Sequence, residues 1–402
     1  MLNFRRGRSN LLFLLAVGMV STSVWISACG SDSPATPTGD AGGDVERDAA
    51  GPGDPGDGGS SPDVNDGSVV DGNVPGNACR ADLQKDAKNC GACGHDCLGA
   101  SCAAGLCEPE RLSVGGMDDP RVAYALAADA TNVYWRSSHN DSDAGRVYDA
   151  MYAVPKVGGP TRLVAKAAPG ESWSLKPLVV ANGNLYWIND SRYGFLTVPV
   201  GGGAVTAVYA GGGTIGDPGE LAIGPGYLYF ANFCSGLSRI PLPSGTPQTL
   251  QSEGCNYFMR RALAIDPGAR FAFVTHRRSI IWQTNLADPN QDTNTKLLHL
   301  DNNGPIAADA TRVYFTSGDE VKAMPIAGGA AVTVAAPLLT RSRENDKLLV
   351  DAKGLYWGKA AIVAARFGGT PFVLYPHPVE DFVVDGRYVY FTSGAGVFRL
   401  AK

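Results

Sequence analysis

The chain has 402 residues, 44% hydrophobic and 18% charged, a length that suits one large domain with accessories. Its formal net charge of −5 is unevenly placed, because residues 30–76 hold ten acids against one arginine and residues 77–402 are close to neutral. With no basic face implied, nucleic acid is excluded as the expected partner.

The first element in chain order is an export signal over 1–28. Arg5, Arg6 and Arg8 precede the apolar run "LLFLLAVGMVSTSVWI", which is short for a spanning helix and ends in small residues, as a cleaved signal peptide does. The tetrapeptide Ile26-Ser27-Ala28-Cys29 resembles the bacterial lipobox. That resemblance implies lipidation of Cys29 and attachment to the membrane through a lipid anchor. Gly30 follows the cysteine where inner-membrane lipoproteins often carry Asp, so the outer membrane or cell surface is the expected address. Residues 29–76 are rich in Asp, Gly and Pro and poor in large apolar side chains, which predicts a disordered tether. Within it "DVNDGSVVDGN" at 63–73 has the Asp and Asn spacing of a calcium loop but lacks the terminal Glu.

Residues 77–109 form a cysteine-rich module with Cys79, Cys90, Cys93, Cys97, Cys102 and Cys107. Thiolates beside His95 could hold zinc. Export into an oxidising compartment favours three disulfides instead, whose pairing the spacing leaves open. The stretch "NCGACGHDC" resembles short cysteine-rich modules of other bacterial surface lipoproteins, and a stapled knob is expected.

From residue 110 to the end the chain repeats itself. Aromatic pairs recur as Tyr134-Trp135, Tyr186-Trp187, Tyr229-Phe230, Ala272-Phe273, Tyr314-Phe315, Tyr356-Trp357 and Tyr390-Phe391, at spacings of 52, 43, 43, 42, 42 and 34. Each unit reads as a short apolar strand, a tight turn, the aromatic strand, a third strand ending near Pro, a Gly-rich turn and a fourth strand. The turn often starts with Asp, at 129, 266, 309, 351 and 385. This period with all-β patterning predicts a seven-bladed β-propeller of four-stranded antiparallel blades. The last unit has three strands, so "ERLSVGG" at 110–116 is expected to supply its outer strand and remove a free edge. The repeat resembles the YWTD repeats of receptor propellers, a likeness that implies protein recognition.

In such a blade the strand 2–3 loops and the blade-to-blade loops share one face, here called the top. Arg192, Tyr193, Tyr257, Arg260, His276, Arg277, Arg278, Arg341, Arg343 and Lys359 fall there and form a candidate site for an anionic or sugar ligand. Blade one has the longest loop, with His139, Asp141 and Asp143. Cys234 and Cys255 fall on the top of blade three and are expected to form a disulfide. No Gly-x-Ser-x-Gly elbow or HExxH motif is present, and the five histidines are scattered. Glu220, Asp346 and Asp381 precede first strands and are the acids that could reach a central channel. The expected function is binding or scaffolding at the cell envelope, by a monomer without cofactor or metal, toward an envelope or extracellular protein or glycan. A metal-dependent propeller hydrolase or lyase, and a purely structural envelope component, are the alternatives.

Overall fold

A computed structural model describes residues 81–114, 120–141, 146–168, 171–173, 177–190, 194–212, 218–232, 236–251, 262–276, 280–287, 295–299, 304–338, 347–394 and 396–402. All lie within one compact unit, Asn73–Lys402. Every regular element among them is a β-strand.

Seven four-stranded antiparallel sheets follow one another along the chain. Blade two shows the plan: Val179–Ala181, Asn184–Asn189, Gly194–Pro199 and Thr206–Tyr209 lie side by side in sequence order. Each first strand touches the first strands of both neighbouring blades, and the contact between Asp381–Val384 and Pro120–Ala128 closes the ring. The fold is therefore a seven-bladed propeller, as the repeat predicts.

Ring closure also follows the sequence expectation. The last blade takes its outer strand from Glu110–Arg111, which pairs Glu110 with Arg399 and Arg111 with Phe398. Ser113–Val114 then pairs with Gly159–Pro160 of blade one, so a few residues hold both ends of the ring. Polar groups stitch the same seam. The Arg399 guanidinium donates to Glu110 Oε2 at 2.9 and 2.6 Å and to the Lys156 carbonyl at 2.7 Å. The Leu126 N–H donates to Asp381 Oδ2 at 2.7 Å.

The core is divided among the blade interfaces. Seven apolar clusters of buried residues lie one at each interface. The aromatic pair supplies both sides of each blade, because successive side chains on a strand point to opposite faces. Tyr134 packs toward blade two and Trp135 toward blade seven. Tyr186 faces blade three and Trp187 faces blade one. The same sense, Tyr forward and Trp or Phe backward, holds in blades three, five, six and seven.

Blade four corrects the sequence alignment. Its first strand pairs Ala264 with Phe273 and Leu263 with Val274, whereas blade five pairs Ala307 with Tyr314 and Ile306 with Phe315. The wedge of blade four is thus Phe273-Val274, not Ala272-Phe273. Its turn is longer, since the Asp266 N–H bonds the Phe271 carbonyl while the Asp309 N–H bonds the Arg312 carbonyl. The inserted residues displace the alignment by one position.

The turn aspartates have a structural role. Asp309 Oδ1 accepts the Thr311 and Arg312 N–H groups at 2.7 Å, and Oδ2 accepts the Tyr314 hydroxyl at 2.6 Å. Asp129 with Tyr134, and Asp385 with Tyr390, repeat this arrangement. In blade four, where the tyrosine is replaced by Phe273, Arg270 Nε occupies Asp266 Oδ2 at 2.9 Å. Blade two has no aspartate at this point and turns through Asn182 and Gly183, both at positive φ, the geometry of a tight hairpin. Two cross-blade ion pairs add to the pattern. Lys156, just past the third strand of blade one, reaches Asp385 of blade seven at 2.7 Å, and Lys402, at the same place in blade seven, reaches Asp351 of blade six.

The cysteine-rich module packs against the ring. Cys90 is bonded to Cys102 and Cys97 to Cys107, and Cys93 is disulfide-bonded as well. Cys90, Cys97 and Cys107 share one apolar cluster with Tyr356, Leu374 and Phe382 of blades six and seven. The module is therefore more than a tethered knob. Its own core is too small to stand alone, and it borrows one from the propeller edge.

Two outcomes test this account of the fold. Leu112, fully buried beside Trp135 and Tyr390, ties the closing segment to blade one. Leu112→Ala should lower stability by about 2–5 kcal/mol in a single cooperative denaturant transition; a change within error would place the seam elsewhere. The second outcome concerns pH. Burial and then the Asp129 carboxylate push the Tyr134 phenol up to about 12. Burial opposes ionisation of Asp129, but the Tyr134 hydroxyl and the Asn132 and Thr131 donors outweigh it and hold the carboxyl below its ordinary 3.8. A raised phenol stabilises the fold fully below about pH 10, and that contribution is lost as pH rises through about 12. The lowered carboxyl stabilises the fold above its ordinary value and loses that contribution as pH falls through its lower folded value. Tyrosinate absorbance should therefore show a late-ionising class that coincides with alkaline unfolding and shrinks in Tyr134→Phe. Ionisation of all tyrosines near pH 10 with the fold intact would contradict the pairing.

Candidate binding face

Consecutive antiparallel strands place the strand 2–3 loops and the blade-to-blade connections on one side of the ring, so the top face is as expected. Of the residues assigned to it from sequence, Lys359 lies just past the second strand of blade six, Gly354–Gly358, and its carbonyl accepts the Val379 N–H at 2.9 Å. His276 ends the second strand of blade four, Phe271–His276. Arg192, Tyr193, Tyr257, Arg260, Arg277, Arg278, Arg341 and Arg343 lie outside the described residues, as do Cys29, Cys79, Cys234 and Cys255.

The described top face is dominated by blade one. Its second and third strands, Asn132–Asp141 and Arg146–Pro155, have ten residues each. Those of blade five have six. The four extra residue pairs rise roughly 13 Å at ~3.4 Å per residue. One side of this overhang carries an aromatic ladder. Trp135 stacks on Tyr152 at 5.7 Å, Tyr152 meets His139 at 5.3 Å, and His139 stacks on Tyr148 at 5.2 Å. The Lys166 ammonium sits 3.6 Å from the Tyr148 ring centre. Trp135, Tyr152 and His139 are buried, and Tyr148 is the half-exposed rung.

The other side of the overhang holds the connection to blade two. Asp149 accepts the Ser138 hydroxyl at 2.6 Å and the Trp173 N–H at 2.9 Å. The Arg136 guanidinium donates to the Trp173 carbonyl, so blade one grips both backbone groups of Trp173. The Trp173 ring packs on Trp187 with centroids 4.9 Å apart. Asn189 donates to Glu171 Oε1 at 3.0 Å and bridges Trp173. Arg136 is 2% exposed, and its desolvation lowers its pKa against the pull of Asp149 and Asp190. Asn189 and Glu171 are thus structural ties. Asp190 next to them remains exposed. Sequence spacing could not find this latch, because it joins two strands of blade one, the connection to blade two and the second strand of blade two.

The central channel encloses a cavity of about 520 Å³ lined by the first strands. Its walls are mostly Val, Leu, Ile and Ala, with Glu220 and Lys347 as the charged groups among the described residues. Asp381 is held by Lys347 Nζ at 2.8 Å, the Phe382 N–H at 2.8 Å and the Leu126 N–H at 2.7 Å. Asp346 lies outside the described residues. The described residues therefore do not assemble a carboxylate set in the channel. Among them, the sulfurs of Cys90, Cys97 and Cys107 form a compact ligand-type cluster, but these atoms belong to two adjacent disulfides rather than thiolates.

No protein-family model matches the chain. No curated protein matches it either. Among solved structures, the chain is similar to YCF48 bound to D1 peptide, at 13% identity and a TM-score of 0.50, over 73% of this chain and 94% of that one. It is also similar to PorZ, a bacterial surface component of the type-IX secretion system of Porphyromonas gingivalis (15% identity, TM-score 0.49, 74% of this chain and 37% of that one). BamB from Moraxella catarrhalis is a further neighbour (12% identity, TM-score 0.44, 77% and 89%). Identities this low establish the propeller fold alone.

The latch yields a stability test. Arg136→Ala leaves a buried carbonyl without its donor and should cost about 1.5–3 kcal/mol, with faster amide exchange at Trp173 than in the parent chain. Unaltered exchange would show that the connection is held by other contacts.

Proposed function

We propose that the chain is a lipid-anchored cell-envelope protein whose propeller binds a protein partner through its top face. The overhang of blade one carries this reading. It offers Tyr148 as a half-exposed aromatic held by stacking on His139 and by the Lys166 ammonium. A rigid aromatic with a polar tip loses little entropy on binding, which is why such residues anchor interfaces. The peptide-bound propeller among the structural neighbours supports a peptide or protein partner over a glycan. The YWTD-like repeat agrees with protein recognition, and the lipobox-like Ile26–Cys29 supplies the anchor. The channel supports binding over metal-dependent hydrolysis, because its described walls bring Glu220 together with Lys347 rather than with further carboxylates.

Both halves of the proposal are open to test. Metabolic palmitate labelling should mark the chain and vanish in Cys29→Ala; labelling that persists removes the anchor. A photo-crosslinking residue at Tyr148 should capture a discrete partner in intact envelopes. The same probe at Val157, 81% exposed in the turn between the third and outer strands of blade one, should not. Equal capture at both positions would move binding off the top face.

A further inference from the structure

A second pocket, of about 280 Å³, lies on the opposite side of the propeller from the proposed binding face. Blade six forms most of it, through Lys353, Tyr356, Ala364, Ala365, Arg366 and Phe372; Lys402 of blade seven and Gly94 of the cysteine-rich module complete it.

The chemistry of this pocket departs from the rule of the repeat. In blades one, five and seven the wedge tyrosine gives its hydroxyl proton to the turn aspartate, at 2.6 to 2.9 Å. In blade six the Lys402 ammonium holds Asp351 Oδ2, as Lys156 holds Asp385 Oδ2 in blade seven, but here no tyrosine hydroxyl shares the carboxylate. Lys402 also lies 4.8 Å from the Tyr356 ring centre, and its side chain is wholly buried. Among the described residues the Tyr356 hydroxyl has no hydrogen-bond acceptor. Tyr356 is 4% exposed overall, and its hydroxyl is left open to the pocket rather than paired among the described residues. Burial, and then the Asp351 charge, raises its pKa, so it stays a proton donor at neutral pH.

The charge is one-sided as well. Lys402 and Asp351 offset each other, while Lys353 and Arg366 are exposed at the pocket walls and make no ion pair among the described residues. Arg366 lies close enough to Tyr356 to bear on its ionisation. A planar guanidinium, an ammonium and a phenolic O–H on residues lining one concavity match an oxyanion, which accepts from all three. Phe372 and two alanines give the remaining wall an apolar surface.

We propose that this pocket binds a small oxyanion, a phosphate or carboxylate group, held by Lys353, Arg366 and the Tyr356 hydroxyl. The site is independent of the top-face reading, because it uses other residues on another side of the ring. It also gives "NCGACGHDC" a role, since Gly94 of that stretch roofs the pocket beside blade six.

Isothermal titration of the full chain with inorganic phosphate, and separately with glucuronate, tests the proposal and separates its two chemistries. Saturable one-to-one binding of at least one anion is expected. The Lys353→Gln, Arg366→Gln double variant should bind about tenfold more weakly or worse, a change of ~1.4 kcal/mol, with an unchanged melting transition, because both side chains are exposed. Tyr356→Phe keeps the ring under Lys402 and should weaken binding several-fold. Absence of saturable binding for both anions, or a double variant that binds like the parent chain, overturns the proposal.

Discussion

One constraint governs this molecule: every blade must bury both of its faces, and neighbouring blades must agree on how. A two-residue aromatic step meets that constraint. Adjacent residues on one strand point to opposite sides, so Tyr186 fills the interface with blade three and Trp187 the interface with blade one. Each large ring buries on the order of 150–250 Å². At about 25 cal/mol per Å² this is about 4–6 kcal/mol per ring before ordering costs, and it is shared between two blades. No blade can retain that stabilisation alone, which binds the seven sheets into one folding unit.

The forward-facing tyrosine brings a second requirement. Its hydroxyl reaches the end of the interface and needs a partner. The turn aspartate provides one while its other oxygen holds the turn N–H groups. The variations follow from the same need. Blade four replaces the phenol with Phe273, and Arg270 takes the carboxylate oxygen. In blade six the carboxylate holds Lys402 without the tyrosine hydroxyl, and Tyr356 faces a pocket. The blade-four departure keeps its carboxylate paired within the framework, whereas the blade-six departure leaves a phenol open to a pocket.

The fold was legible because its determinants are local and repeated. Aromatic spacing, Asp-led turns and a final unit short of one strand were enough to count the blades and to look for the closing strand within 110–116, of which Glu110–Arg111 pairs with the last blade. The error in blade four has a simple cause. Phe273 was aligned by its aromaticity, and only strand register reveals that its turn is longer. The Asp149–Arg136–Trp173 latch and the blade-six pocket were not legible, since each depends on residues far apart in sequence that meet only after the ring closes. The tie between Asn189 and Glu171 is illegible for the same reason, because Glu171 meets Asn189 only once the connection to blade two folds back.

The central claim is that the aromatic wedges make the ring a single cooperative unit. Native-state hydrogen exchange across the second strands tests it most directly, by comparing amides such as Trp187, Phe230, Phe315 and Trp357. The account predicts one common opening free energy for these strands, lowered together by a substitution at any one interface. Opening free energies that differ blade by blade, with Trp187→Ala affecting only blades one and two, would contradict it.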